Sequence, residues 1–339
     1  MKHLTLAQLL KEYPFAADFL QQNRLETAGF EQLTFEEYLA LLTEEELEDK
    51  AIDIDRLPGE LTAYIQQMTE FLGIEKTKAV SSLTILPGRN KEGLPEQFEE
   101  LVIVPSQIVS IVGPTGSGKS RLLADIEWAA QGDTPTGRSI LINGSVPDAK
   151  WRYSPNNKLV AQLSQNMNFV MDLSAGEFVE MHAQSRMVEN PGEITRRILE
   201  EANRLAGESF SADTPVTSLS GGQSRALMIA DTAVLSASPI VLIDEIENAG
   251  IDRRKALELL VSQDKIVLMA THDPLLALMA DRRIVIRSGG IHAVLETSPE
   301  EKELLTQLNQ IDSVMQNARR MLRSGEALRQ KTVFPQSTK

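Results

Sequence analysis

Gly113-Pro114-Thr115-Gly116-Ser117-Gly118-Lys119-Ser120 is the stretch on which the fold turns. It follows a β-branched apolar run, Ile108 to Val112, and precedes a stretch of helical character, Arg121 to Ala130. A glycine loop between strand and helix is the context in which this pattern cradles phosphate. Glycines let the backbone wrap close to phosphate oxygens and turn N–H groups inward, in conformations that a side chain blocks. The helix N-terminus adds its partial positive charge. Lys119 is expected to reach the β- and γ-phosphates of a nucleotide, and Ser120 to offer its hydroxyl to Mg²⁺.

Two further stretches follow at informative distances. Val241-Leu242-Ile243-Asp244-Glu245 is a buried-type strand ending in two acids, 125 positions after Lys119 at Asp244. Asp244 is expected to hold Mg²⁺, and Glu245 to act as general base toward an attacking water. Just ahead of that strand stands Leu219-Ser220-Gly221-Gly222-Gln223. Thr271-His272-Asp273 follows another apolar run, Ile266 to Ala270.

In this order the stretches resemble the ATP-binding cassette (ABC) family, over roughly residues 80 to 296. The resemblance implies an α/β P-loop NTPase of ABC type with a helical signature subdomain. A small all-α domain would precede it and a C-terminal helix follow it. It also implies ATP and Mg²⁺ as ligands and a second ABC ATPase subunit, identical or not, as partner. Ser218 to Arg225 would be the signature, with Ser220, Gly221, Gly222 and Gln223 capping ATP bound by the other subunit. His272 would be the switch histidine on the γ-phosphate. Ser164-Gln165-Asn166, followed by Phe169 and Leu173 to Val179, looks like the family's glutamine loop. Gln165 would then sense Mg²⁺ and water; Gln162 competes for the role, and the spacing to Phe169 favours Gln165. Asp252 would belong to the dimer-contacting loop.

Three features depart from the family's pattern. No well-placed aromatic stands ahead of the glycine loop to stack on adenine, Phe98 being the only one nearby. After Glu245 the chain continues Ile246-Glu247-Asn248-Ala249-Gly250-Ile251 without the usual proline. Only twenty positions separate Asp252 from His272, so the helix between them reads as trimmed.

Outside the cassette, residues 1–78 read as a helical unit with 16 Asp+Glu against 7 Lys+Arg. Leu6, Leu9, Leu10, Tyr13 and Ala17 recur at helical spacing, and Thr34 with Glu37 forms a capping box for a second helix. At the other end, 297–339 reads as a helical tail. Leu304, Leu308, Ile311, Met315, Ala318 and Leu322 step by 4, 3, 4, 3, 4. Under three heptads, that spacing reads as a helix packed on its own domain rather than a coiled coil. The tail ends basic, with six Lys+Arg against one acid over 317–339.

A formal net charge of −14 argues against a nucleic-acid partner. The absence of cysteine excludes disulfides, thiolate metal sites and cysteine nucleophiles. With no apolar run of about 18 residues and no secretory signal, the expected location is cytoplasmic, peripheral to the inner face of a membrane where a membrane partner exists. The helical N-terminal unit, the atypical 246–252 stretch and the trimmed helix favour an ATPase that works on a protein partner outside the membrane. The alternative is the ATP-binding subunit of a transporter whose membrane-spanning subunits are separate chains.

Overall fold

The computed structural model describes residues 4–50, 52–72, 80–148, 151–152, 159–164, 169–246 and 250–328. These divide into two compact units, 4–72 and 80–328.

The first unit is all helical: α1 (Leu6–Glu12), α2 (Ala16–Gln22), α3 (Phe35–Leu39), α4 (Glu44–Lys50) and α5 (Leu57–Leu72). Leu6, Leu9, Phe19, Tyr38, Leu39, Leu61 and Ile65 form its core. The Thr34–Glu37 capping box starts α3 as expected. The spacing from Leu6 to Ala17 does not make one helix. Pro14 disfavours helical backbone at Tyr13, which sits at φ −131°, ψ 76°, and the run splits into α1 and α2.

The second unit holds two sheets. Strands β1 (Leu83–Leu86), β2 (Leu101–Ile103) and β4 (Ser139–Ile142) form an antiparallel sheet in the order β2-β1-β4. The larger sheet runs β5-β6-β7-β3-β8-β9, from β3 (Ile108–Val112), β5 (Val160–Leu163), β6 (Ile240–Asp244), β7 (Ile266–Ala270), β8 (Arg282–Arg287) and β9 (Gly290–Glu296). All its pairings are parallel except the β8–β9 hairpin. β6 and β7 are buried almost throughout, which is why both read as unbroken apolar runs.

Helices α6 (Lys119–Glu127), α10 (Arg253–Val261) and α11 (Pro274–Met279) follow β3, β6 and β7 in the chain. α7 (Ala175–Ser185), α8 (Pro191–Leu205) and α9 (Gly221–Val234) share a separate core that includes Val179, Ile198, Ala202 and Leu227. The C-terminal helix α12 (Pro299–Arg323) is 25 residues long. Its packing differs from the expectation. Leu304, Ile311, Met315 and Leu322, four of the six heptad residues, are exposed. No described helix is long and apolar enough to cross a membrane.

Candidate nucleotide site

Parallel pairing places the C-terminal ends of β6, β7 and β3 side by side, and ligands of open α/β sheets bind at that edge. The Gly113–Ser120 loop leaves β3 there, Asp244 and Glu245 end β6, and Thr271-His272-Asp273 leaves β7.

The loop is fastened from outside. A Cβ at Gly113 would stand 2.4 Å from the Ile286 carbonyl oxygen, and one at Gly118 2.9 Å from Gly289 Cα. Both glycines have positive φ, +154° and +113°. The Gly289 N–H donates to the Ser117 carbonyl at 2.7 Å, and Lys91 Nζ donates to the Gly116 carbonyl at 3.0 Å. In a trans peptide C=O and N–H point opposite ways. Holding the Ser117 carbonyl against Gly289 therefore turns the Gly118 N–H away from Gly289.

Behind Gly289 lies a buried charge cluster. Arg138 donates through Nη2 to Glu96 Oε1 at 2.5 Å and to the Gly289 carbonyl at 3.2 Å, and through Nη1 to Asp125 Oδ2 at 2.8 Å. The Arg138, Glu96 and Asp125 side chains are at most 1% exposed. Thr136 Oγ1 also donates to Asp125 at 2.8 Å, and Glu96 accepts from the Gly88 and Ile291 amides. This cluster joins α6, the start of β4 and the β8–β9 turn into one support for the loop.

Lys119 is 8% exposed. Its Nζ donates to the Gly113 carbonyl at 2.9 Å and the Pro114 carbonyl at 3.3 Å, and lies 3.2 Å from His272 Nε2. The same Nε2 is 3.7 Å from Glu245 Oε1. The structure thus gathers Lys119, His272 and Glu245 at one sheet edge. His272 Nε2 faces a lysine ammonium on one side and a carboxylate on the other. Glu245 has φ +52°, and its N–H donates to the Ala270 carbonyl at 3.1 Å. A non-glycine residue held in left-handed backbone stores strain, a condition that clusters at functional sites.

His272 is followed by a clamp that the sequence reading missed. Asp273 caps α11 by accepting from the Leu275 amide at 2.8 Å, and its other oxygen pairs with Arg253. Arg253 Nη2 reaches Asp312 Oδ2 of α12 at 3.3 Å. Asp252, one residue earlier, caps α10.

Ser220 lies apart from this cluster. It caps α9 in a capping box: the Gln223 N–H donates to Ser220 Oγ at 3.3 Å, and the Ser220 N–H to Gln223 Oε1 at 2.9 Å. Gly221 and Gly222 form the first turn of that helix. Among the described residues, no hydrogen bond or ion pair joins Ser220–Gln223 to Gly113–Ser120. Gln165 lies outside the described residues; Gln162 is an exposed mid-strand residue of β5. Phe98 packs against the sheet core, so its ring is engaged there.

For Mg²⁺, the protein donors near the loop are the Ser120 hydroxyl and the Asp244 carboxylate, at the start of α6 and the end of β6. No group of three acidic, histidine or cysteine side chains that would hold a metal occurs among the described residues. One hydroxyl and one carboxylate fit an ion that keeps several waters and takes its remaining ligands from substrate phosphates.

The family model of the ABC transporter matches residues 100–248. An uncharacterised ABC transporter ATP-binding protein of Methanocaldococcus jannaschii is 53% identical over 249 residues, 74% of this chain and 95% of that protein. A cobalamin import ATP-binding protein of Halobacterium salinarum is 28% identical over 193 residues, 55% of this chain and 47% of that protein. Among solved structures, a dimeric post-hydrolysis ATP-binding cassette bound to ADP and Pi matches with a TM-score of 0.47 and 23% identity, covering 64% of this chain and 99% of that one. The chain belongs to the ABC family of ATP-binding proteins and is an ATPase of that family.

Proposed function

From that membership we propose that the chain is the ATP-hydrolysing subunit of a membrane transporter, working as a pair of cassettes against separate membrane-spanning subunits on the cytoplasmic side. The observation that carries the chemistry is the convergence of Lys119, His272 and Glu245 at one sheet edge. The transporter assignment is supported by the relative at 53% identity, an ABC transporter ATP-binding protein by name. This replaces the reading of an ATPase acting away from membranes. The atypical 246–252 stretch and the nine-residue α10 stand as variations within a transporter-type cassette.

The roles follow from position. Lys119, whose Nζ lies on the Gly113 and Pro114 carbonyls of the loop, serves the β- and γ-phosphate oxygens. The N–H groups of Gly118, Lys119 and Ser120, at the start of α6, face the same phosphates. Ser120 and Asp244 hold Mg²⁺, which neutralises phosphate charge when bound. Glu245 takes the proton of the attacking water, and His272, beside both Glu245 and Lys119, holds the γ-phosphate side of the site. Gln165 monitors the water. Ser220, Gly221, Gly222 and Gln223 serve the ATP of a second copy, presenting a helix N-terminus across the interface. We further assign 1–78, 80–296 and 297–339 as accessory domain, cassette and tail.

The deciding experiment is recovery of the tagged full chain from membranes. Stoichiometric copurification of a multi-span protein is expected. Recovery with partners from the soluble fraction alone contradicts the transporter reading.

A further inference from the structure

The C-terminal helix α12 presents an apolar stripe that the described residues of its own unit leave uncovered. Leu304, Ile311, Met315 and Leu322 are 46, 60, 51 and 61% exposed. At about 100° of rotation per residue they lie within ~40° of one another around the helix. Half-buried Leu308 and Ala318 border the same line. The helix is attached through other positions. Glu301 accepts from Arg283 at 2.6 Å, Asp312 from Arg253 at 3.3 Å, and Met321 is buried.

We propose that this stripe packs against the same stripe of a second copy of the chain, as an antiparallel helix pair that holds two cassettes together without nucleotide. The proposal rests on the two-cassette reading above and adds an interface to it. Three observations specify the occupant and its direction. First, steps of 4, 3, 4, 3, 4 average near the 3.5-residue period at which two helices interlock side chains.

Second, the pattern is a palindrome centred on Ser313. Reversing the helix sets Leu304 on Leu322, Leu308 on Ala318 and Ile311 on Met315, the self-complementarity that a two-fold interface requires. Third, charge chooses the direction. At the start of α12 Glu300 and Glu303 outnumber Lys302, Glu301 being paired with Arg283, and Arg319 and Arg320 stand in its last turns. Parallel helices would place like charges together. Antiparallel helices lay acid along base and oppose their dipoles favourably.

The ion pair from Asp312 to Arg253 places the stripe's helix beside Asp252, in the loop assigned above to the cassette dimer. A pairing of under three heptads is weak by itself. Its consequence is a high effective concentration of one cassette beside the other, so that closure on ATP becomes an event within one complex.

The chain has no cysteine, which makes single cysteine variants unambiguous. Ile311→Cys and Leu304→Cys are treated separately, in the full nucleotide-free chain, with a short bismaleimide. Ile311 lies close to the two-fold axis, so Ile311→Cys should link into a dimer. The two copies of Leu304 would be roughly 27 Å apart, at 1.5 Å rise per residue, so Leu304→Cys should not link. Linking of Leu304→Cys as readily as Ile311→Cys would overturn the antiparallel arrangement, and failure of both would overturn the pairing.

Sedimentation gives a second readout. The nucleotide-free chain should be dimeric and Ile311→Glu monomeric; a monomeric parent or a dimeric variant would each overturn the proposal. A monomeric chain that pellets with phospholipid vesicles through this stripe would assign it to membrane and overturn it as well. In the Ile311→Glu background, ATP-dependent dimerisation of Glu245→Gln reads the cassette interface separately, so its absence counts against the two-cassette reading and leaves the stripe to its own tests.

Discussion

The phosphate loop and the Ser220–Gln223 segment carry similar chemistry, glycines at a helix N-terminus, yet the molecule treats them differently. The loop is held on every side. Gly289 and Lys91 fasten its carbonyls, Lys119 is tucked beneath it, and a buried Arg138–Glu96–Asp125 cluster supports the shoulder. Ser220 and Gln223 bond to one another, and Gln223 Nε2 donates to the nearby Glu208 and Ser209 carbonyls, at a half-exposed to exposed helix end with no bond to the loop. One half of the site is preorganised within the chain. The other is finished locally and offered outward, the condition expected of a surface that acts on another molecule.

The comparison breaks most severely at its rigid half. Removing Arg138, as in Arg138→Met, leaves two carboxylates buried without their cation. The expected loss is about 3–5 kcal/mol of stability, measured by urea unfolding. A variant as stable as the parent would mean that the cluster supports nothing. Lys119→Ala should weaken ATP binding by roughly 100-fold or more while the fold persists, because a preorganised charge facing phosphate is lost. Calorimetric titration with ATP checks this, and unchanged affinity would remove Lys119 from the site.

The outward half should respond in the opposite way. Ser220→Arg is expected to leave ATP affinity within about threefold of the parent, a change of under ~1 kcal/mol, and to abolish hydrolysis. An intact turnover rate would remove the segment from the reaction.

A smaller effect concerns the frame between the halves. Lys265, buried at the start of β7, donates to the Ser236 and Ser238 carbonyls at 2.8 and 2.9 Å. Desolvation lowers it from 10.5 to about 8. Between those values the unfolded chain binds the proton that the folded chain has released, so this group makes stability rise with pH from about 8 to 10.5. Lys265→Met should flatten that slope in unfolding measurements across the window. An identical slope in both proteins would show that the amine is not desolvated.

What could be read from the chain differs between these regions for a physical reason. The loop, the acids of β6 and His272 are local: each is a strand end followed by a fixed pattern, with β6 and β7 announcing themselves as unbroken apolar runs and β3 as one interrupted only by Ser110. Arg138, Lys91 and Arg253 were not legible. A charged residue in sequence reads as surface, and only the fold brings Glu96, Asp125 and Gly289 around one guanidinium. β4 and β5 were missed because each is only four residues long, and β9 because it is mostly exposed or half-exposed beyond Gly290 and Ile291. The heptad in α12 was visible as a period, but period alone does not say which way the stripe faces.

The central claim, that a working site takes its loop from one copy and its Ser220 segment from another, is tested most directly by complementation. Lys119→Ala and Ser220→Arg chains are each expected to be inactive when purified alone. Co-expressed, they form mixed dimers in which one site keeps both Lys119 and Ser220. ATPase activity should then return to about a quarter of the parent's, given random pairing into two-fold dimers. Activity that stays absent in the mixture would place both residues in the same chain's site and contradict the account.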